Sequence, residues 1–169
     1  VNELGMITRP YTLGHRGARA LEPENTLLSF RTGLSLGVDR VECDVHKTKD
    51  GQVVVIHDDT LDRTTNGSGR VSDHTMAQLS GLDAGKGEKI PTLRQLLGVV
   101  KEYGKILHIE LKGDNVTDDA VRIVKEENME SLVLFIAFDI SKLVRVKKID
   151  PNLKTGGLFS HCSDSIVSQ

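Results

Sequence analysis

Glu42 and Asp44 stand two residues apart in Arg40–Val45, a run in which Val41, Cys43 and Val45 alternate with polar residues. That alternation reads as a β-strand with both carboxylates on one face. Two carboxylates side by side repel, and away from water they need a counter-charge or a cation. An edge strand turning a polar face to solvent is the alternative that the pair alone leaves open. Glu110 adds a third acid near the C-terminal end of another strand-like run, Ile106–Leu111, where it sits between aliphatic residues with no amphipathic pattern to account for it. Three carboxylates at strand ends, with no Cys or His at ligand spacing, make an all-oxygen set suited to Mg²⁺ or Ca²⁺ rather than zinc. Lys112 shares the face of Glu110, either as its ion-pair partner or as a point charge for an anionic substrate. The two readings support each other, because Mg²⁺ is typically held by one or two carboxylates together with substrate phosphate oxygens.

Two histidines fall at strand ends beside these acids: His15 in Gly14-His15-Arg16-Gly17 and His57 in Val55-Ile56-His57-Asp58. Either alone reads as a surface or capping residue; together they suit an acid and base pair. Arg16, between glycines, has room for a bidentate phosphate contact, or is a solvated loop arginine. His46, His74, His108 and His161 lack such placement, although His108 shares a face with Glu110 and could support it.

The elements that must position these groups alternate between strand and helix. Strand candidates are Thr12–His15, Arg40–Val45, Gln52–His57, Ile106–Leu111, Leu132–Phe138 and Lys154–Phe159. The spacing of Leu27, Phe30, Leu34 and Val38 predicts a helix opening at Glu24-Asn25-Thr26 and stopping at Gly37. Thr92 with Gln95 predicts a capping box, with Leu93, Leu96, Leu97 and Val100 as the apolar stripe and Gly104 as the stop. Thr117 is expected to cap a helix carrying Asp118 and Asp119 in its first turn and Ala120, Val121 and Val124 inward. Asp139 opens a last helix expected to bury Ile140, Leu143 and Val144, with Lys147 and Lys148 in its last turn and Pro151 as its end. Between the first and second helical patterns, residues 58–90 are polar and Gly-rich and read as a long excursion with little periodic structure. This recurrence argues for an α/β fold with parallel strands in a single domain.

Composition narrows the function. With 22 Lys and Arg against 24 Asp and Glu, the net charge of −2 gives no electrostatic basis for nucleic-acid binding. No stretch approaches the roughly 18 apolar residues of a membrane span. Two distant cysteines, Cys43 and Cys162, exclude a disulfide framework and argue for a reducing, cytoplasmic setting. The start, Val-Asn-Glu-Leu-Gly-Met, is neither a basic apolar leader nor an initiator methionine, and reads as a processed or excised end.

Seven segments in order resemble one family: Gly14-His15-Arg16-Gly17, Pro23-Glu24-Asn25-Thr26, Val41-Glu42-Cys43-Asp44-Val45, Lys49-Asp50-Gly51, Val55-Ile56-His57-Asp58, Ile90-Pro91-Thr92-Leu93 and Ile109-Glu110-Leu111-Lys112. They are similar to the motif series of the glycerophosphodiester phosphodiesterases, TIM-barrel members of the phospholipase-C-like phosphodiesterases. The resemblance implies metal-dependent hydrolysis of glycerophosphodiesters to glycerol 3-phosphate and an alcohol. It makes Glu42, Asp44 and Glu110 ligands of Mg²⁺ or Ca²⁺, His15 and His57 the catalytic acid and base, and Arg16 and Lys112 the phosphate-binding residues. Residues 58–90 match a small insertion near the catalytic mouth, on the glycerol side. Cys43 replaces an often aliphatic residue and is expected to point away from the site. A non-catalytic phosphate- or metal-binding remnant of the fold, or a phospholipase-D-like enzyme acting on lipid head groups, are the rival readings. A TIM barrel typically takes about 250 residues, so six strand candidates in this length predict a barrel incomplete at its C-terminal end. The open edges, Thr12–His15 and Lys154–Phe159, would then invite self-association.

Overall fold

The computed structural model describes residues 10–160. Its frame is a strand–helix alternation: β1 (Leu13–His15), α1 (Leu27–Ser35), β2 (Arg40–Lys47), β3 (Val53–Val55), α2 (Met76–Leu79), α3 (Leu93–Tyr103), β4 (Ile106–Leu111), α4 (Thr117–Glu126), β5 (Val133–Ala137), α5 (Ile140–Ile149) and β6 (Lys154–Gly157). Five strands are parallel neighbours in the order β1-β2-β4-β5-β6, and β3 pairs with β2 antiparallel. Among the described residues β1 and β6 are therefore the two outer strands of the parallel set.

Register carries the polar residues into line. His15 pairs with Glu42, Glu42 with His108, and Asp44 with Glu110. Paired residues on parallel strands point to the same face, so the acids of β2 and β4 share one surface. The opposite face is apolar: Val41, Cys43, Val45, Leu107, Ile109, Leu111 and Phe135 pack with Phe30, Leu34, Leu93, Leu96, Leu97, Ala120, Val121 and Val124 of the helices. The main core is thus sandwiched between sheet and helices. Cys43 lies within it, fully buried and facing away from the carboxylates as expected.

The helix starts follow local chemistry. Thr26 accepts a hydrogen bond from the Ser29 amide at the head of α1, and Gly37 closes that segment in the left-handed region at φ 88°. Thr92 and Gln95 form both bonds of the expected capping box, and Gly104 ends α3 at φ 60°. Two helix expectations are corrected. Thr117 does not cap α4: the cap is Val116, with Asn115 in the left-handed region ahead of it, and Thr117 is buried in the first turn. In α5, Leu143 and Val146 face the core, while Ile140 and Val144 are 44% and 47% exposed, because α4, β5 and β6 meet only one side of that helix.

Residues 58–90 are more ordered than their composition suggests. They hold a single 3₁₀ turn at Val71–Asp73 and the capped helix α2. Leu61, Val71, Leu79, Ala84 and Ile90 pack on Val54 and Ile56 as a second small core beside the main one.

Candidate active site

The carboxyl oxygens of Glu42, Asp44 and Glu110 come within 4.8 Å of one another, and all three residues are buried. The chain has placed like charges together in the middle of β2 and near the C-terminal end of the adjacent β4. Burial and the neighbouring Asp44 push the Glu42 carboxyl up to about 8. Burial likewise raises Glu110, against the attraction of Lys112.

Oxygen atoms here lack partners. Glu42 Oε1, Asp44 Oδ1 and Asn25 Oδ1 are buried without a hydrogen bond. Buried acceptors are normally satisfied, so three orphans beside one acidic cluster need an explanation. A hard cation accounts for all three, since Mg²⁺ and Ca²⁺ take carboxylate and amide oxygens. The remaining oxygens are used to hold the set in shape: Glu42 Oε2 accepts from the Arg16 amide at 2.9 Å, and Asp44 Oδ2 accepts from Asn25 Nδ2 at 2.9 Å.

Cationic groups flank the acids. Arg16 lies in the left-handed region at φ 54°, a conformation uncommon outside glycine, and its carbonyl accepts from the Asn25 amide and the Ser29 hydroxyl. Gly17 follows at φ 80°, where a Cβ would come within 2.5 Å of Ser29 Oγ, so no other residue fits that turn. The turn aims the Arg16 guanidinium at Asp44 Oδ2, 3.5 Å away, and at Glu24, to which it donates at 3.0 Å. Lys112 Nζ stands 3.5 Å from Glu110, 3.9 Å from Asp44 and 3.1 Å from His57 Nε2.

The two histidines reach this cluster by different routes. His15 ends β1, with Nε2 3.5 Å from Glu42, and burial, helped by Arg19 and Arg16, lowers its pKa. His57 comes through the antiparallel arm: the turn at Thr48–Gly51 returns the chain along β2, and two residues past β3 the imidazole meets Lys112. A parallel strand at this point would have needed a long crossover. The strand expected within Gln52–His57 forms at Val53–Val55, but as the antiparallel arm of a hairpin, so it does not count among the parallel barrel strands; His57 stays with the acids.

Sequence reasoning passed over the residues that brace this set. Asp58 accepts from His57 Nδ1 at 2.5 Å, and hydrogen bonds from Arg63 and His57 hold its carboxyl well below the ordinary range despite the opposing effect of burial. Arg63 donates to both oxygens of Asp58 and to both oxygens of Glu24, at 2.7–3.1 Å. One guanidinium of the 58–90 segment thereby ties the partner of His57 to the partner of Arg16. His46, set aside on sequence, donates Nε2–H to the His57 carbonyl at 3.0 Å. Alternation along β2 after Asp44 was the one signal for it. His108, although in register with Glu42, does not join the acids: Arg40 donates to its Nε2 and Tyr11 meets it edge-on.

The sequence model of the glycerophosphoryl diester phosphodiesterase family matches residues 15–165. The chain belongs to that family. A glycerophosphodiester phosphodiesterase of Caldanaerobacter subterraneus subsp. tengcongensis is 39% identical over 159 residues, covering 87% of this chain and 65% of its own length. One from Bacillus subtilis is 35% identical and is covered over 58% of its length. This chain therefore spans less than two thirds of these relatives. Among solved structures, an Oleispira antarctica phosphodiesterase in complex with the product sn-glycerol-3-phosphate superposes with TM-score 0.87 at 32% identity, over 94% of this chain and 70% of the other. The glycerophosphodiester phosphodiesterase of Agrobacterium tumefaciens gives 0.80 at 32% identity, over 87% and 66%. The fold of this family member is the TIM-barrel type, with five of its parallel strands in the described residues. No helix among those residues is long and apolar enough to cross a membrane.

Proposed function

We propose that the protein hydrolyses glycerophosphodiesters to glycerol 3-phosphate and an alcohol, with a divalent cation, Mg²⁺ or Ca²⁺, held by Glu42, Asp44 and Glu110. The observation that carries this reading is the buried acidic triad with unpaired oxygens, flanked by two histidines and two cations. Asn25 Oδ1, buried without a partner on the side chain that donates to Asp44, would serve as a neutral fourth oxygen. When bound, the ion neutralises charge on the phosphate oxygens.

The chain's own groups do the remaining work. Arg16 and Lys112 bind the phosphate from two sides, one as a planar fork and the other as a point charge. His15 and His57 divide the proton transfers, one relieving the nucleophile of a proton and the other giving one to the departing alkoxide. A carboxylate only accepts, so Asp58 holds His57 as the Nδ1–H tautomer and leaves Nε2 as the nitrogen that exchanges a proton near the phosphorus. Arg63 keeps Asp58 and Glu24 facing their partners, and the 58–90 segment that delivers it walls the glycerol side. A reducing cytoplasmic setting suits Cys43, whose thiol lies free in the apolar core.

The test is release of glycerol 3-phosphate from glycerophosphocholine and glycerophosphoethanolamine, with and without excess chelator. Turnover that stops in chelator and returns with Mg²⁺ or Ca²⁺ is expected. Turnover undiminished in chelator, or none with any divalent ion, contradicts the proposal.

A further inference from the structure

Lys142 belongs to none of the motif segments, yet its ammonium has the most complete coordination of any lysine described. Nζ donates to three consecutive backbone carbonyls: Leu111 at 3.1 Å, Lys112 at 2.7 Å and Gly113 at 3.0 Å. An ammonium has three protons, and all three are used. The residue sits in the first turn of α5, where the helix dipole disfavours a cation. A lysine placed there against the dipole, with its protons spent on one stretch of backbone, is held for that stretch.

The stretch is the exit from β4. After Leu111 the backbone leaves the strand: the Lys112 amide turns back to the Glu110 carbonyl, and the Gly113 amide reaches the Val45 carbonyl on β2. Gly113 lies so close to β2 that a Cβ would come within 2.9 Å of the His46 Cα. These amide bonds fasten only the donor side of the turn. The carbonyls on either side of Lys112 point the other way, toward α5, and Lys142 gathers them. Both peptide planes that flank Lys112 are thereby fixed, and with them the root of the side chain that reaches His57 Nε2, Glu110 and Asp44.

We infer that Lys142 is a positioning residue of the active site, acting through the backbone of residues 111–113 to aim Lys112 at His57 and the phosphate. This rests on the function proposed above for Lys112, but the positioning itself can be read without turnover. Removing the ammonium leaves three carbonyls with no shared partner and frees the Lys112 root to move.

The experiment compares Lys142→Met, Lys142→Arg and Lys142→Cys in the full chain, with Lys112→Met as the reference for a lost Lys112–His57 contact. The ¹⁵N resonances of the His57 imidazole are expected to move in Lys142→Met in the same direction as in Lys112→Met. Lys142→Arg, whose planar fork cannot converge on three carbonyls, should fall between, and it serves where the Met variant does not fold. Alkylating Lys142→Cys with 2-bromoethylamine rebuilds a lysine-length ammonium and should restore the wild-type spectrum, with alkylated wild type as the control. With glycerophosphocholine, kcat/KM should fall about 10–100-fold in Lys142→Met, the usual effect of losing a group that orients a site residue. It should recover on aminoethylation. His57 resonances left at their wild-type position in the folded Met or Arg variant, or a spectrum that aminoethylation does not restore, would overturn the inference. A wild-type chain with no turnover would instead contradict the proposed function, and the imidazole spectra would still decide whether Lys142 positions Lys112.

Discussion

The two faces of β2 and β4 obey opposite rules. On one, Val41, Cys43, Val45, Leu107, Ile109 and Leu111 bury apolar surface against three helices and leave nothing unsatisfied. On the other, one residue along each strand, Glu42, Asp44 and Glu110 are also buried but repel one another, and Glu42 Oε1 and Asp44 Oδ1 have no hydrogen-bond partner. The same backbone supports both, so the acids are held where they are by the stability of the face behind them. Folding energy is gathered on the helix side and spent on the mouth side.

The contrast should separate sharply under mutation. Asp44→Asn removes a charge that a bound cation needs, and several kcal/mol of charge stabilisation at the phosphate corresponds to a loss of about a thousandfold or more in kcat/KM. The metal-free protein should melt no lower than wild type, because a repelling charge has gone; paired assays of turnover and thermal unfolding check both. A drop in melting temperature that accounts for the lost activity would erase the distinction between the faces.

Arg63 tests the bracing of the mouth. Arg63→Met leaves Asp58 and Glu24 without their shared partner, and kcat/KM should fall about 10–100-fold, as for other groups that orient a site. Arg63→Lys should recover little, since an ammonium cannot make two bidentate pairs at once. Steady-state kinetics on both variants, with circular dichroism to confirm folding, decides this; full rescue by lysine would leave only a charge requirement.

Cys43→Ser gives the smallest change in activity and the opposite signature. A hydroxyl buried among Val and Leu side chains without a partner costs about 1–3 kcal/mol of stability. The metal affinity and kcat/KM should stay within a few-fold of wild type, because the side chain faces the helices. Isothermal titration with Mn²⁺ and a denaturant melt separate the two effects. A Cys43→Ser chain as inactive as Asp44→Asn would place the thiol in the site.

The apolar face and the acids were readable from alternation alone, because a strand's period of two sorts residues without knowledge of their partners. Phe30, Leu34, Leu93 and Leu97 were readable for the same reason at the helical period. The six residues between Val45 and Gln52, with the Asp50-Gly51 turn among them, are too few for a parallel crossover, so the antiparallel return was legible; counting Gln52–His57 among the barrel strands overlooked that constraint. Ile140 and Val144 were misjudged because an apolar stripe shows that a face exists, not which neighbours cover it. Arg63 and Lys142 were invisible for a deeper reason. Arg63 joins Asp58, five residues away, to Glu24, 39 residues away, and Lys142 meets carbonyls 29–31 residues away, and no local pattern encodes such convergence.

The most direct measurement of the central claim is thermal stability against pH, with and without divalent ions. Glu42 titrates near 8 in the folded metal-free protein, above the ordinary 4.5 of an exposed glutamate. A carboxyl raised in this way binds its proton more tightly when folded. Stability must then decline as pH rises from about 4.5 to about 8, and Glu110 acts in the same direction. Millimolar Mg²⁺ or Ca²⁺ should restore the melting temperature at pH 8 and do little at pH 5, where protons hold the site. Glu42→Gln should flatten the metal-free profile and abolish most of the restoration. A metal-free melting temperature unchanged between pH 5 and 8, or a restoration matched by sodium chloride at equal ionic strength, would contradict a cation site at this triad.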